Sequence, residues 1–389
     1  MKNKIKIIVA MSGGVDSSVA AALLKRAGFD VVGVFMKFWR PPLCGGTRIY
    51  ADINADLLGY ENRCCSVESE KLARLVAKKI GIPFYVINVE KEFKKKVVDY
   101  FLEEYKKGNT PNPCVVCNKE IKFGLLIKKA LKLGADFVAT GHYANTTLSM
   151  RSSLQSHRMP IKLLKGDKEK DQSYFLWQLN QGQLDRVLFP VGNYTKPEVR
   201  KLAKKFKLPT AETPESQEVC FISGTINEFL KKYLKTKPGN IVDKSGKVLG
   251  EHEGLYFYTI GQRKGIGLGG SASAKGFGET KPYYVVAKDF KKNNLIISKD
   301  KKDLLQKELI AKNINWILPQ KLPLNCQVKI RYRSNLADAR IIYTLIRSNK
   351  GVSADKVNVV FKKPQKAITP GQSAVFYKGN QLLGGGVIE

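Results

Sequence analysis

Ser12-Gly13-Gly14-Val15-Asp16-Ser17 lies between the apolar run Ile5 to Met11 and a helix-like stretch from Val19 to Arg26, and its reading decides the fold. An apolar run that breaks on paired glycines and resumes with helical spacing predicts a strand, a tight turn and a helix, the repeating unit of an α/β sheet. Two glycines let the backbone approach an anion, and the N–H groups that open a helix carry partial positive charge. Ser12, Ser17 and Ser18 add hydroxyl donors, and the Asp16 carboxylate is a candidate Mg²⁺ ligand. The junction therefore reads as a phosphate cradle. It is not a Walker A loop, which needs a lysine at the start of its helix, because no lysine stands there.

Outward from this loop, Val31 to Met36, Phe84 to Val89 and Phe137 to Thr140 read as short buried strands. Helical stretches at Glu70 to Ile80, Lys91 to Tyr105 and Ile121 to Leu133 separate them, the rhythm of a Rossmann-like parallel sheet with right-handed crossovers. Functional groups of such sheets gather beyond the carboxyl ends of the strands, where the Ser12 loop, Met36 and Gly141-His142 all fall. From about Gly224, glycine-rich loops replace the βα rhythm, and Gly261 to Gly270 is both basic and glycine-rich. Beyond about Lys301 the pattern is that of short alternating strands. Period-2 spacing in Cys326 to Arg333 places Lys329, Arg331 and Arg333 on one face, and a hairpin is expected around Lys378-Gly379-Asn380. The expected architecture is an α/β catalytic domain over 1–223, a small central domain over 224–300, and a C-terminal antiparallel β-barrel over 301–389.

The 389-residue length favours several domains, and 43% hydrophobic content is that of a globular chain. No apolar run approaches the roughly 20 residues that cross a bilayer, and Met1-Lys2-Asn3-Lys4 leads straight into a strand, so a soluble cytoplasmic protein is expected. With 67 basic against 34 acidic side chains the net charge is +33, which suggests a polyanionic partner such as RNA. Lysine-rich surfaces also serve solubility alone. Seven cysteines, Cys44, Cys64, Cys65, Cys114, Cys117, Cys220 and Cys326, lack the spacing of a secreted disulfide scaffold.

Thr110-Pro111-Asn112-Pro113 reads as an extended loop before a long amphipathic helix that starts near Asn118. Cys117 would then sit at a helix N-terminus, where the dipole favours a nucleophilic thiolate. Cys114 precedes it in a C-x-x-C pair. Half a zinc site, a thioredoxin-like dithiol and, with Cys220, three ligands of an iron–sulfur cluster are the other readings of these thiols. Cys220 stands where a polar loop, from Glu215, meets Phe221-Ile222. Taken alone it reads as a buried, inert cysteine.

The loop at Ser12 resembles the PP-loop of ATP pyrophosphatases. Together with Thr110-Pro111-Asn112-Pro113, Cys117-Asn118, Ala139 to Tyr143, Lys170 to Phe175, Cys220-Phe221-Ile222 and Tyr258 to Arg263, it resembles the bacterial tRNA-specific 2-thiouridylases over nearly the whole chain. The resemblance implies that ATP, with Mg²⁺, adenylates the uracil 2-oxygen of the wobble uridine in tRNAs for lysine, glutamate and glutamine. Sulfur carried as a persulfide on Cys220 and released by Cys117 then displaces AMP. It implies ATP contacts for Ala10, Met11, Ser12, Gly13, Gly14, Val15, Asp16, Ser17, Met36 and Gly141. Asn112, Pro113 and Cys114 would line the target base, and His142, Lys170, Asp171, Gln172, Arg331, Tyr332 and Gln372 would contact tRNA. A cysteine desulfurase or relay protein would load Cys220. At Cys114 many relatives carry an aspartate proposed as general base, which leaves the base as the Cys114 thiolate, a water or the AMP phosphate. Met150 to Pro160 is a basic insertion with no family counterpart. A PP-loop synthetase or amidotransferase acting on a small metabolite, and a non-catalytic RNA-binding protein, are the competing functions.

Overall fold

A computed structural model describes residues 4–41, 66–148, 159–167, 169–214, 219–222, 224–266, 282–345 and 352–389. Cys44, Cys64, Cys65, residues 150–158 of the basic insertion, 215–218 of the Cys220 loop and Gly267 to Gly270 lie outside them. The N-terminal strands are β1 (Lys6–Ala10), β2 (Asp30–Lys37), β3 (Phe84–Asn88), β4 (Phe137–Ala139), β5 (Ala144–Thr146), β6 (Leu163–Lys165) and β7 (Val187–Leu188). Five of them form a parallel sheet in the order β3-β2-β1-β4-β7. Ile7, Ile8 and Val9 on the central strand are buried, as both-face coverage by helices requires.

The covering helices are α1 (Val15–Arg26), α2 (Val67–Ile80), α3 over 90–106, α4 over 113–132 and α5 (Lys196–Lys205). Their ends follow local chemistry. Ser66 caps α2 by accepting from the Ser69 N–H and Gly81 closes it in the left-handed region, while a Thr195–Glu198 capping box opens α5. Several helices begin earlier than the sequence suggests, α2 among them, at Val67 and not Glu70. α1 starts at Val15, and α4 starts at Pro113, since proline is well suited to the first helical position. α3 and α4 each contain a stretch of wider i→i+5 turns, at Lys94–Val98 and Asn118–Leu125.

A second sheet follows, of β8 (Gly239–Val242), β9 (Val248–His252), β10 (Tyr284–Asp289) and β11 (Asn294–Ser298), in the order β10-β11-β8-β9. The last strands are β12 (Leu305–Trp316), β13 (Leu324–Lys329), β14 (Ala337–Leu345), β15 (Val352–Lys366), β16 (Ser373–Lys378) and β17 (Gln381–Ile388). Pairing of β12 with β17 closes these six into an antiparallel barrel around Val328, Ile341, Val359, Phe361 and Phe376. The expected hairpin joins β16 to β17 through Gly379, whose φ is +57°. β6 pairs with β17 and β5 with β6, so two N-terminal strands extend the barrel sheet.

The expected Lys329–Arg331–Arg333 face does not form. β13 ends at Lys329, and a turn closed by the Ser334 N–H on the Arg331 carbonyl takes over. Among the described residues no helix is long and apolar enough to cross a membrane.

Candidate active site

β1 and β4 are neighbours, so the loops after them meet at one end of the sheet, the crevice where ligands of such sheets bind. Gly13 (φ +76°) tightens the first loop, and a Cβ there would come within 2.3 Å of the Ser69 carbonyl oxygen. Gly14 caps α1 with no side chain to take its first amides, and the Ser17 and Ser18 hydroxyls bond the Gly14 carbonyl at 3.1 and 2.9 Å. From the other loop, Gly141 lies so close to the Asp16–Ser17 backbone that a Cβ would meet it at 2.6 Å. Ala10, Met11 and Met36 line the strand ends behind the loop. The arrangement is a cup of amides and hydroxyls shaped for an anion.

Two residues join this cup that the sequence reading missed. Tyr143 donates from its hydroxyl to Asp16 Oδ1 at 2.6 Å, and Lys196 places its ammonium on the same oxygen at 2.6 Å. Their separations from Asp16, 127 and 180 residues, explain why no local pattern revealed them. His142 packs its ring against Phe123 and Phe189 and bonds Thr140, and desolvation together with Lys122 holds its pKa well below the ordinary value. It is a neutral imidazole at pH 7.

In the thiol segment the structure shifts one expectation. Because α4 begins at Pro113, Cys114 is its second residue and exposed, while Cys117 lies a turn further in and is buried. The N-terminal dipole thus acts chiefly on Cys114 rather than on Cys117. Asn118, next in line, donates to the Phe175 carbonyl at 3.1 Å and keeps a buried side-chain oxygen with no hydrogen-bond partner among the described residues. Cys220 is half-buried in the turn closed by the Ile222 N–H on the Val219 carbonyl. The neighbouring Phe221 ring packs on Phe93 and Phe101 of α3, whose middle turn packs on Pro113–Cys117. Both cysteine segments therefore border the same helix. Among the described residues no group of three or more His, Cys, Asp or Glu side chains can hold a metal, so Cys114, Cys117 and Cys220 do not fit an iron–sulfur cluster in this arrangement.

The Thr110 loop joins the three sheets. Its N–H donates to the Pro370 carbonyl at 2.8 Å, its carbonyl accepts from Gln372 Nε2 at 2.8 Å, and its hydroxyl meets that of Thr259 at 3.2 Å. Arg331 donates to the carbonyls of Ile260 and Ala367 at 3.0 and 2.9 Å and to the Thr369 hydroxyl. The Tyr332 and Phe175 rings lie 4.5 Å apart at a tilt of 41°, and the Asn112 side chain lies beside the buried Tyr174 hydroxyl. Asn112, Arg331, Tyr332 and Gln372 thus come together at one junction. Asp171 and Gln172 serve the backbone: Asp171 accepts from Gly166 and Ser173, and Gln172 Oε1 accepts from the Tyr143 N–H. Lys170 lies 5.9 Å from the centre of the Tyr143 ring.

A parallel sheet with a glycine–serine anion loop at the reversal of its strand order, followed by a barrel, defines the class of PP-loop nucleotide-binding α/β proteins. Family models described as tRNA methyl transferase HUP domain, tRNA methyl transferase PRC-barrel domain and aminomethyltransferase beta-barrel domain match residues 5–224, 227–299 and 306–388. The tRNA-specific 2-thiouridylase MnmA of Carboxydothermus hydrogenoformans is 45% identical over 99% of this chain and 97% of its own. That of Clostridioides difficile is 44% identical over 99% and 98%. A solved 4-thiouridine synthetase–RNA complex with bound ATP is 17% identical over 56% of this chain and 44% of its own, with a TM-score of 0.30. The chain belongs to the tRNA-specific 2-thiouridylase family.

Proposed function

We propose that this protein replaces the 2-oxygen of the wobble uridine in tRNAs for lysine, glutamate and glutamine by sulfur, in the cytoplasm, at the expense of ATP. The observation that carries the reading is that an anion cup and two cysteine segments bordering one helix occur in a single α/β domain. Residues 1–223 act as the catalytic domain, and 224–300 with the barrel at 301–389 embrace the tRNA. The net charge of +33 suits that polyanion.

In the first step the uracil 2-oxygen attacks the α-phosphorus of ATP, and the electron pair of the broken α–β bond leaves on pyrophosphate. The amides of 12–17 and the Ser12 and Ser17 hydroxyls hold the phosphates, while Met36 and Gly141 border the nucleotide. Asp16 offers one carboxylate, which fits a Mg²⁺ held mostly by phosphate oxygens, and such an ion would neutralise phosphate charge. Asn112 and Pro113 line the base, which must leave the anticodon stack to reach a buried thiol. Cys114 stands at the place of the base that takes the uracil N3 proton, and the α4 dipole favours its thiolate.

Sulfur arrives from a cysteine desulfurase or relay protein as a persulfide on Cys220. The Cys117 thiolate attacks Cys220 Sγ, forming a Cys117–Cys220 disulfide and expelling hydrosulfide. Hydrosulfide adds at uracil C2, and AMP departs with the C–O bond pair. A cellular dithiol then reduces the disulfide.

The words methyl transferase in the domain descriptions name a different product, so the test must tell the two apart. Wild type and Cys220→Ser are incubated with tRNA, ATP, Mg²⁺, cysteine and a desulfurase, and the nucleosides are analysed by mass spectrometry. Wild type is expected to give 2-thiouridine and AMP, and C220S neither thiolated base nor a persulfide. A methylated uridine, or full thiolation by C220S, would overturn the reading.

A further inference from the structure

Lys196 is in the wrong place for an ordinary lysine. It is the first residue of α5, where the helix macrodipole disfavours a cation, and the Thr195–Glu198 capping box already satisfies that helix start. Its side chain is only 13% exposed and its ammonium sits 2.6 Å from Asp16 Oδ1, beside the Tyr143 hydroxyl on the same oxygen. α1 and α5 run side by side in the same direction. Their starts meet in the Asp16–Lys196 pair, and their far ends meet where the Arg26 guanidinium lies 4.8 Å over the Phe206 ring. The positive ends of two helices and one ammonium thus gather at the Asp16 carboxylate, while Glu198 already answers the backbone amide that opens α5, so that helix start does not call for the ammonium at the anion cup. A charge rule broken at a single point marks a site that expects a ligand.

We propose, resting on the ATP reading above, that Lys196 is the phosphate-binding lysine that the Ser12–Ser17 loop lacks. It is delivered from a separate helix, held by Asp16 while no nucleotide is present, and passed to the β- and γ-phosphate oxygens when ATP binds. In the adenylation step it carries the charge that the leaving pyrophosphate gains. The lysine acts through its charge and its hydrogen bonds alone, so it moves no proton and forms no covalent bond.

The test is calorimetric titration of wild type, Lys196→Gln and Lys196→Arg with Mg-ATP, inorganic pyrophosphate and adenosine. K196Q is expected to bind ATP and pyrophosphate about 10- to 100-fold more weakly, the range for losing one charge-assisted hydrogen bond, with adenosine unchanged and K196R close to wild type. Affinities within twofold of wild type would overturn the proposal. So would a K196Q chain that loses its folded far-UV spectrum, since the lysine would then be a structural tie. Wild type that binds pyrophosphate but not ATP would end the nucleotide reading, while the K196Q comparison on pyrophosphate would still decide whether Lys196 holds the anion.

Discussion

Four described cysteines share one chemistry and differ only in surroundings. Cys326 is buried in the barrel wall, and desolvation pushes its thiol up to about 12, so almost none is thiolate at neutral pH. Cys114 is exposed at the second position of a helix, where the dipole favours the thiolate. Limited iodoacetamide at pH 7.5, followed by peptide mass mapping, should therefore label Cys114 first among these four and leave Cys326 unmodified until the chain is denatured. Early labelling of Cys326 would contradict this environment. Gly13 is a second single-residue determinant. A methyl group there would meet the Ser69 carbonyl oxygen at 2.3 Å in a backbone region that alanine disfavours. Gly13→Ala should lower ATP affinity by at least about tenfold and destabilise the fold by roughly 1–3 kcal/mol. Titration calorimetry and thermal melts check both effects.

Between elements, the docking of the β10–β11 sheet on α3 depends on one unusual lysine. Lys288 of β10 donates to the Gly108 carbonyl at 2.9 Å, just past the end of the 99–106 turns, where a cation meets the negative end of the helix. Phe290 covers Gly108, and burial pushes the Lys288 ammonium down to about 8. A base whose folded pKa lies below its unfolded value binds fewer protons folded than unfolded between the two, so its stability contribution rises with pH there. From pH 8 to 10 the wild type should therefore gain stability relative to Lys288→Met, a trend that urea unfolding at several pH values would show or refute. This contact was not legible in the sequence, and neither was the end of β13. The alternation through Arg333 is real, but Arg331 reaches two carbonyls and a hydroxyl of other segments, and those bonds outweigh one more strand pair. The start of α4 was misplaced for a local reason, because Pro113 both disfavours helix before it and opens the helix itself. The cradle was legible because strand, turn and helix there are contiguous. Its lysine was not, because it arrives from α5.

At the scale of the whole molecule, the α/β half and the barrel share a core instead of merely touching. Trp177 and Tyr174 are fully buried, and both bond Ser373 of the barrel at 3.0 Å, one through its side chain and one through its carbonyl. Asn315 donates to the Trp177 and Leu179 carbonyls at 2.7 and 3.1 Å, and the Gly385 backbone leaves room for the indole, since a Cβ there would stand 2.9 Å from the ring. β6 takes its pairing from β17. A chain cut after residue 300 would expose both aromatic rings, each worth roughly 1.5–3 kcal/mol of burial, together with an unpaired strand edge and several orphaned polar groups. These losses are comparable to the whole stability of a typical domain. The 1–300 fragment should therefore aggregate or melt without a cooperative transition. A fragment that stays monomeric, melts cooperatively and binds ATP with full affinity would show the opposite, that the barrel is an appendage to a self-sufficient catalytic unit.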